Sequence, residues 1–260
     1  MLAYPQLTTG ALTQYPLQKR RRLRTIMNAL ADGSAIKLAD AAGETTEWQL
    51  QYTGLSDDEA SVLQQFFEAT EGNLNTCTFL DPTGNLFAWS DQLDDAAWSK
   101  APFLSLAAGV TDAVGGTSGW HIQNSGAGAQ TLTQTLAAPG GYLYCLSGYV
   151  KSSQGAQSVT LLLGTERGDQ AVGADWSRIT LTGRGDASAE SMVFGIEAAA
   201  GVSLDVFGLQ VEPQAAAAVY KQSTTGGVYP HTAFRDATLS LTATDVNRHS
   251  ATVNLIHAIG

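Results

Sequence analysis

Histidine is the side chain most often used for acid–base chemistry and metal binding, and this chain has four: His121, His231, His249 and His257. Their spacing forms neither HExxH nor HxH, and no Cys pair lies beside them, so no metal site is expected. His257 alternates with Leu255 and Ile259, the pattern of a satisfied histidine in a sheet. A GxSxG elbow, a phosphate-binding P-loop and a dinucleotide fingerprint are all missing, and the glycines of the middle region fall in turns. The acid pairs Asp57/Asp58 and Asp94/Asp95 are adjacent in sequence, which suits a helix start or a solvated loop rather than two opposed glycosidase carboxylates. Arg184-Gly185-Asp186 has the composition of a turn. These patterns point away from an enzyme and away from any cofactor.

Two other groups of residues could act by binding. Aromatic rings stack on the apolar faces of sugar rings, and Trp120, Trp98 and Trp176, with Tyr142 and Tyr144, are the candidate platforms. Trp120 sits two residues before Ile122, which suggests an alternating strand with the indole inside. The second group is a dense basic run, Lys19, Arg20, Arg21, Arg22 and Arg24, in a chain whose formal net charge is −10. A nucleic-acid binder is expected to carry its basic excess over a whole domain, so sequence-specific nucleic-acid binding is not expected. Alternation along a strand sends Lys19 and Arg21 to one face and Arg20 and Arg22 to the other. Such a strand is either a charged edge that resists aggregation or a subunit contact, with Asp57, Asp58 and Glu59 of a neighbouring copy as partners. A third role, lining a channel, ranks below these.

The elements that position these residues are mostly strands. Tyr15 to Leu30 reads as a long strand, reversed at Ala31-Asp32-Gly33-Ser34 into a short strand Ala35 to Leu38, with a third at Trp48 to Tyr52. One helix follows: Ser56 caps it with Glu59 three residues on, Val62, Leu63, Phe66 and Phe67 form its apolar stripe, and Gly72 ends it. Thr76 to Leu80 is a strand, and Asp81-Pro82-Thr83-Gly84 a turn. Further on, strands are expected at Gln130–Leu136, Tyr142–Lys151, Ser158–Gly164, Ser177–Thr182, Met192–Glu197 and Ser203–Val211, with Ala215–Ala218 either a helical turn or a loop. The chain closes on Thr238–Thr244 and Ala251–Ile259, a hairpin turning through Asp245–Ser250.

A lone hairpin is marginal in water, so the closing segment needs the first segment's sheet. The expected fold is therefore mostly β: a discontinuous sandwich- or barrel-like domain of residues 1–86 and 226–260 with one helix, interrupted by a jelly-roll β-sandwich of residues 87–225. At 260 residues, 44% hydrophobic and 15% charged, the chain is globular with a core of useful size. No apolar run reaches eighteen residues and MLAYPQLTTG lacks the pattern of a secretory signal, so a soluble protein made in a cytoplasm, with no membrane partner, is expected. Cys77 and Cys145 are far apart in the chain and read as reduced, buried thiols.

Two resemblances add to this. The opening YPQLTTGAL, the basic strand QKRRRLRT, the run GLSDDEASVLQQFFEATEGNLNTCTFLDP and the closing hairpin resemble the distal tail proteins of long-tailed bacteriophages and gene transfer agents. That resemblance implies a hexameric ring below a tail tube, a second domain projecting outward, hub and fibre proteins as partners, and a place in the tail tip of a virion assembled in a bacterial cytoplasm. The middle region resembles β-sandwich modules related to carbohydrate-binding modules, through Asn85, Ser90, Trp98, Tyr149, Val150, Lys151, Trp176, Arg178, Gln210 and Glu212. It implies a jelly roll, with a host glycan as a further partner.

Overall fold

The computed structural model describes residues 2–258. In chain order the elements are β1 (Gln14–Ala29), β2 (Ala35–Leu55), α1 (Asp57–Ala69), β3 (Cys77–Leu80), β4 (Ser99–Lys100), β5 (Leu104–Val110), β6 (Gly119–Asn124), β7 (Gln130–Leu136), β8 (Tyr144–Lys151), β9 (Gln157–Leu163), β10 (Glu166–Val172), β11 (Ser177–Gly183), β12 (Met192–Ala198), β13 (Ser203–Glu212), β14 (Val228–Phe234), β15 (Leu241–Asp245) and β16 (Arg248–Ala258). They fall into two compact units. One comprises residues 1–8, 13–79 and 229–260, the other residues 9–12 and 80–228. The fold is mostly β with one helix, and its second unit interrupts the first.

In the first unit one six-stranded sheet runs β1-β2-β16-β14-β3, with β15 paired to β16. The helix lays Ala60, Leu63 and Phe66 into the core. Trp48, Leu50 and Tyr52 alternate inward along β2, and Val253 and Leu255 do so along β16. Edge-to-face contacts tie them together: Tyr4 lies 5.6 Å from both Phe66 and Phe79, and Phe67 lies 5.0 Å from Phe234. The capping box forms as the sequence implies, with the Ser56 hydroxyl accepting from the Glu59 N–H and the Glu59 carboxylate accepting from the Ser56 N–H. Gly72 takes a φ of +69°, the left-handed conformation that glycine adopts without strain, and its N–H reaches the Phe67 carbonyl. Val62 departs from expectation. It is exposed, because it lies at the edge of the buried stripe, one turn before Phe66 and on the solvent side of it.

The two short strands expected at 35–38 and 48–52 are one strand, β2. The pattern breaks in sequence because residues 39–44 form a ribbon with β1 that buries neither face, and the buried position among 45–47 is Thr46, which is not apolar. A bulge sits between Arg22 and Arg24 in the β1–β2 register, and Gly43 lies there because a Cβ would come within 2.5 Å of the Arg24 side chain. The closing hairpin begins later than expected, at Leu241, and Ile259 lies outside the described residues. Strand β14 was not expected: Pro230 interrupts it and His231 takes a φ of +63°, both of which erase a strand signature.

The second unit is a sandwich of two five-stranded antiparallel sheets, β10-β9-β12-β7-β4 and β11-β8-β13-β6-β5. Leu161, Leu163, Phe194 and Ile196 from one sheet and Leu146, Val150, Leu204 and Val206 from the other are buried in the core of the sandwich. Of the six expected strands, β7 has the expected bounds and the other five have ends shifted by one or two residues. Four more lie outside those six: the alternation of Trp120 and Ile122 signalled β6, and β4, β5 and β10 were missed. Short β4 and glycine-flanked β5 carry weak patterns, and β10 is a charged edge strand. Residues 215–218 form a loop.

Candidate functional site

The basic strand sits where β1 leaves the body of the first unit. Among the described residues, strand β16 pairs with β2 only from Thr45 onward, and beyond that point β1 and β2 pair with each other alone, from Arg24↔Asp40 to Ala29↔Ala35. Both faces of this ribbon are exposed. One face carries Arg22, Arg24 and Ile26 in alternation, with Leu38 and Ile36 across from Ile26 and Asn28. Leu23 is 64% exposed, Met27 62% and Leu38 53%.

Lys19 falls on the opposite face, its ammonium 5.4 Å from the centre of the Tyr229 ring and 5.8 Å from that of Trp48. Arg21 pairs with Glu44 at 2.8 Å and Arg24 with Asp40 at 2.8 Å, so acids of β2 balance two of the cations. Arg20 donates to Gln18. Arg22 has no ionic partner among the described residues. The three acids set against this cluster in the sequence do not sit alike. Glu59 is committed to the helix cap and to Thr8, and Asp57 meets His249 at 2.6 Å. Asp58 remains exposed on the helix. Burial pushes the Glu59 pKa up, but hydrogen bonds from Thr8 and Ser56 outweigh it and hold the carboxyl below its ordinary value.

In the sandwich, the residues that carry the module resemblance turn out to tie its chain ends. Asn85, buried, donates to the Leu209 carbonyl and accepts from the N–H groups of Phe87 and Val211. Gln210 and Glu212, both fully buried, bind the returning loop: Gln210 accepts from Lys221 N–H, and Glu212 accepts from Ala218 N–H and pairs with Lys221 at 3.4 Å. Ser90 bonds the Tyr220 hydroxyl at 2.8 Å. Arg178 donates to the Ser147 hydroxyl and the Ala218 carbonyl. These side chains satisfy backbone groups that would otherwise be buried unpaired.

Three of the candidate sugar platforms, Trp98, Trp120 and Tyr144, are buried. Trp98 and Trp120 are each 6% exposed; Trp98 packs on Phe87 and donates to the Trp89 carbonyl, and Trp120 donates to the Asp91 carbonyl. Trp120 points inward because β6 alternates and places it with Ile122 on the core side. Tyr144 is buried against Phe194. Trp176 is half-buried at the end of β11, with the Lys151 ammonium 4.9 Å from its ring centre. Lys151 stands in a row the sequence did not signal, because its members come from separate strands. Lys151, Asp205 and His121 are cross-strand partners on β8, β13 and β6, with His121 Nδ1 2.7 Å and Lys151 Nζ 3.6 Å from the Asp205 carboxylate.

The remaining chemistry-bearing residues do not converge. His231 is exposed, and His257 leans its ring edge-on to Tyr229 at 5.2 Å. His257 is not fully satisfied, since Nδ1 is buried without a hydrogen-bond partner among the described residues. Desolvation lowers its pKa, against the opposing pull of the Pro230 carbonyl. Asp95 accepts from Ala97 N–H and Asp186 from Ser188, each closing a local turn. Cys77 and Cys145 are free and buried, and burial raises the Cys77 thiol to about 12. Among the described residues no group of three or more His, Cys, Asp or Glu side chains is placed to hold a metal ion, and no helix is long and apolar enough to cross a membrane.

No family model matches the chain, and no curated protein matches it by sequence. Solved structures that match include a xylan-binding domain from carbohydrate-binding module family 22, at 16% identity over 54% of this chain and 100% of that one, TM-score 0.41. The C-terminal family 22 carbohydrate-binding module of a Clostridium thermocellum xylanase matches at 14% identity over 54% and 99%, TM-score 0.39. The enzymatically active domain of tailspike protein 4 of bacteriophage CBA120 matches at 13% identity over 52% of this chain, which spans only 22% of that one, TM-score 0.39.

Proposed function

We propose that the chain is a structural subunit of a phage-type tail tip. The first unit associates with copies of itself into a ring, six by resemblance, that joins a tail tube to the hub or fibres of the same particle. The sandwich is carried on that ring, and no step of the role is catalytic. One observation supports this above the rest: the β1–β2 ribbon stands clear of its sheet with exposed apolar and basic side chains. A two-stranded ribbon is marginal by itself, and exposed apolar surface of this kind marks a surface that a partner covers. Quantitative mass spectrometry of purified particles tests the role. The chain is expected at a fixed copy number of several per tail, and its absence from particles that are otherwise complete removes the role.

A second reading rests on the half-buried Trp176 beside the Lys151–Asp205–His121 row, an aromatic ring next to fixed polar groups. In it the sandwich is an adhesin for host surface polysaccharide, and the ring multiplies weak single-site binding. Binding of the intact protein to an array of bacterial surface glycans, lost in Trp176→Ala, is the expected result. Silence across the array removes the adhesin.

A further inference from the structure

The assembly reading leaves open what covers the ribbon. Helix α1, on the same unit, presents a surface that lacks what the ribbon has in excess. Its sequence DDEASVLQQFFEA contains no basic residue. Glu68 in the last turn and Glu71 just beyond it lie at the negative end of the helix dipole, where a carboxylate is unfavourable and a cation is favoured. Both are exposed, and no basic side chain pairs with either among the described residues. Beside them Leu74 is 71% exposed. The end of α1 therefore offers an apolar side chain flanked by two uncompensated acids. The ribbon offers Ile26, Leu38 and Ile36 next to Arg22, a cation with no ionic partner of its own.

We infer that the ribbon of one copy docks on the C-terminal end of α1 of the next copy, with Arg22 facing Glu68 and Glu71 and the ribbon's apolar strip covering Leu74. This rests on the assembly reading and names its contact. The two surfaces are different, so the contact is heterologous, and repetition closes a ring where the rotation allows. Charges brought together across such a contact lose water and interact more strongly than exposed pairs do. The sequence had set Asp57, Asp58 and Glu59 opposite the basic strand. The geometry moves that partner role to the other end of the helix, since Asp57 and Glu59 are occupied at the N-terminal end.

A charge swap on the intact chain tests this, followed by light scattering over a dilution series. Arg22→Glu and Glu68→Arg/Glu71→Arg are each expected to weaken self-association about tenfold or more, and the combined variant to restore most of it. Glu68→Arg also removes a charge that opposes the helix dipole, so the dilute protein is expected to melt no lower than wild type, which separates lost assembly from lost folding. If the wild type associates but the helix variants associate equally well, or the combined variant fails to recover, this contact is wrong and the assembly reading stands. If the wild type is monomeric at every concentration, both fall.

Discussion

Asn124 shows how much one buried amide does in the sandwich. Its Nδ2 lies within 3.0 Å of three carbonyls, those of Gly128, Ala198 and Ala199, while Oδ1 accepts from Gly126 N–H at 2.8 Å. Truncation leaves several of these groups without partners in a dry site, at about 1–3 kcal/mol for each buried polar group left unsatisfied. Asn124→Ala is expected to destabilise the sandwich by about 3 kcal/mol in chemical denaturation. A cost under about 1 kcal/mol would mean water replaces the amide. His257 makes a pH-dependent contribution of the opposite kind to a paired histidine. Its folded pKa lies below the unfolded value, so the unfolded chain binds more protons, and the stability linked to it is present above about pH 6.5 and lost as pH falls through the depressed value. In His257→Phe the melting temperature of the first unit is expected to fall less between pH 7 and pH 5 than in wild type.

At the scale of elements, the helix was legible in sequence because its signals are local: Ser56 and Glu59 three positions apart, an apolar stripe, and a glycine at its end. Ser56→Ala is expected to cost about 1 kcal/mol by loss of the cap, measured by equilibrium unfolding, and an unchanged midpoint would show that Thr8 alone holds Glu59 in place. The central sandwich strands were legible for a similar reason, since inward alternation marks each of them. What stayed hidden was whatever lacks a buried face or depends on pairing between distant strands. Residues 39–44 carry no alternation because the ribbon buries neither face, and at 45–47 the buried position is a threonine. Strands β4, β5 and β10 are short, glycine-flanked or charged. Trp98 and Trp120 were recognisable as aromatic, but their burial follows from the loops carrying Trp89 and Asp91, whose carbonyls accept their indole N–H groups. Lys151, Asp205 and His121 meet only through the register of three strands.

For the whole molecule, charge is unevenly spread along the chain. The chain is acidic by ten charges, yet five of its fourteen Lys and Arg residues fall within Lys19–Arg24. That stretch leads into a ribbon whose apolar side chains face water. Segregation of this kind favours head-to-tail contact between copies and disfavours like surfaces meeting. The central claim is that this ribbon builds a closed assembly, and sedimentation velocity of the intact protein over a wide dilution series tests it most directly. The expected result is one discrete oligomer, six copies by resemblance, that gives way to monomer on dilution and in a variant whose ribbon beyond Arg24 and Asp40 is replaced by a short turn. A monomer at every concentration, or an oligomer that survives loss of the ribbon, would contradict it.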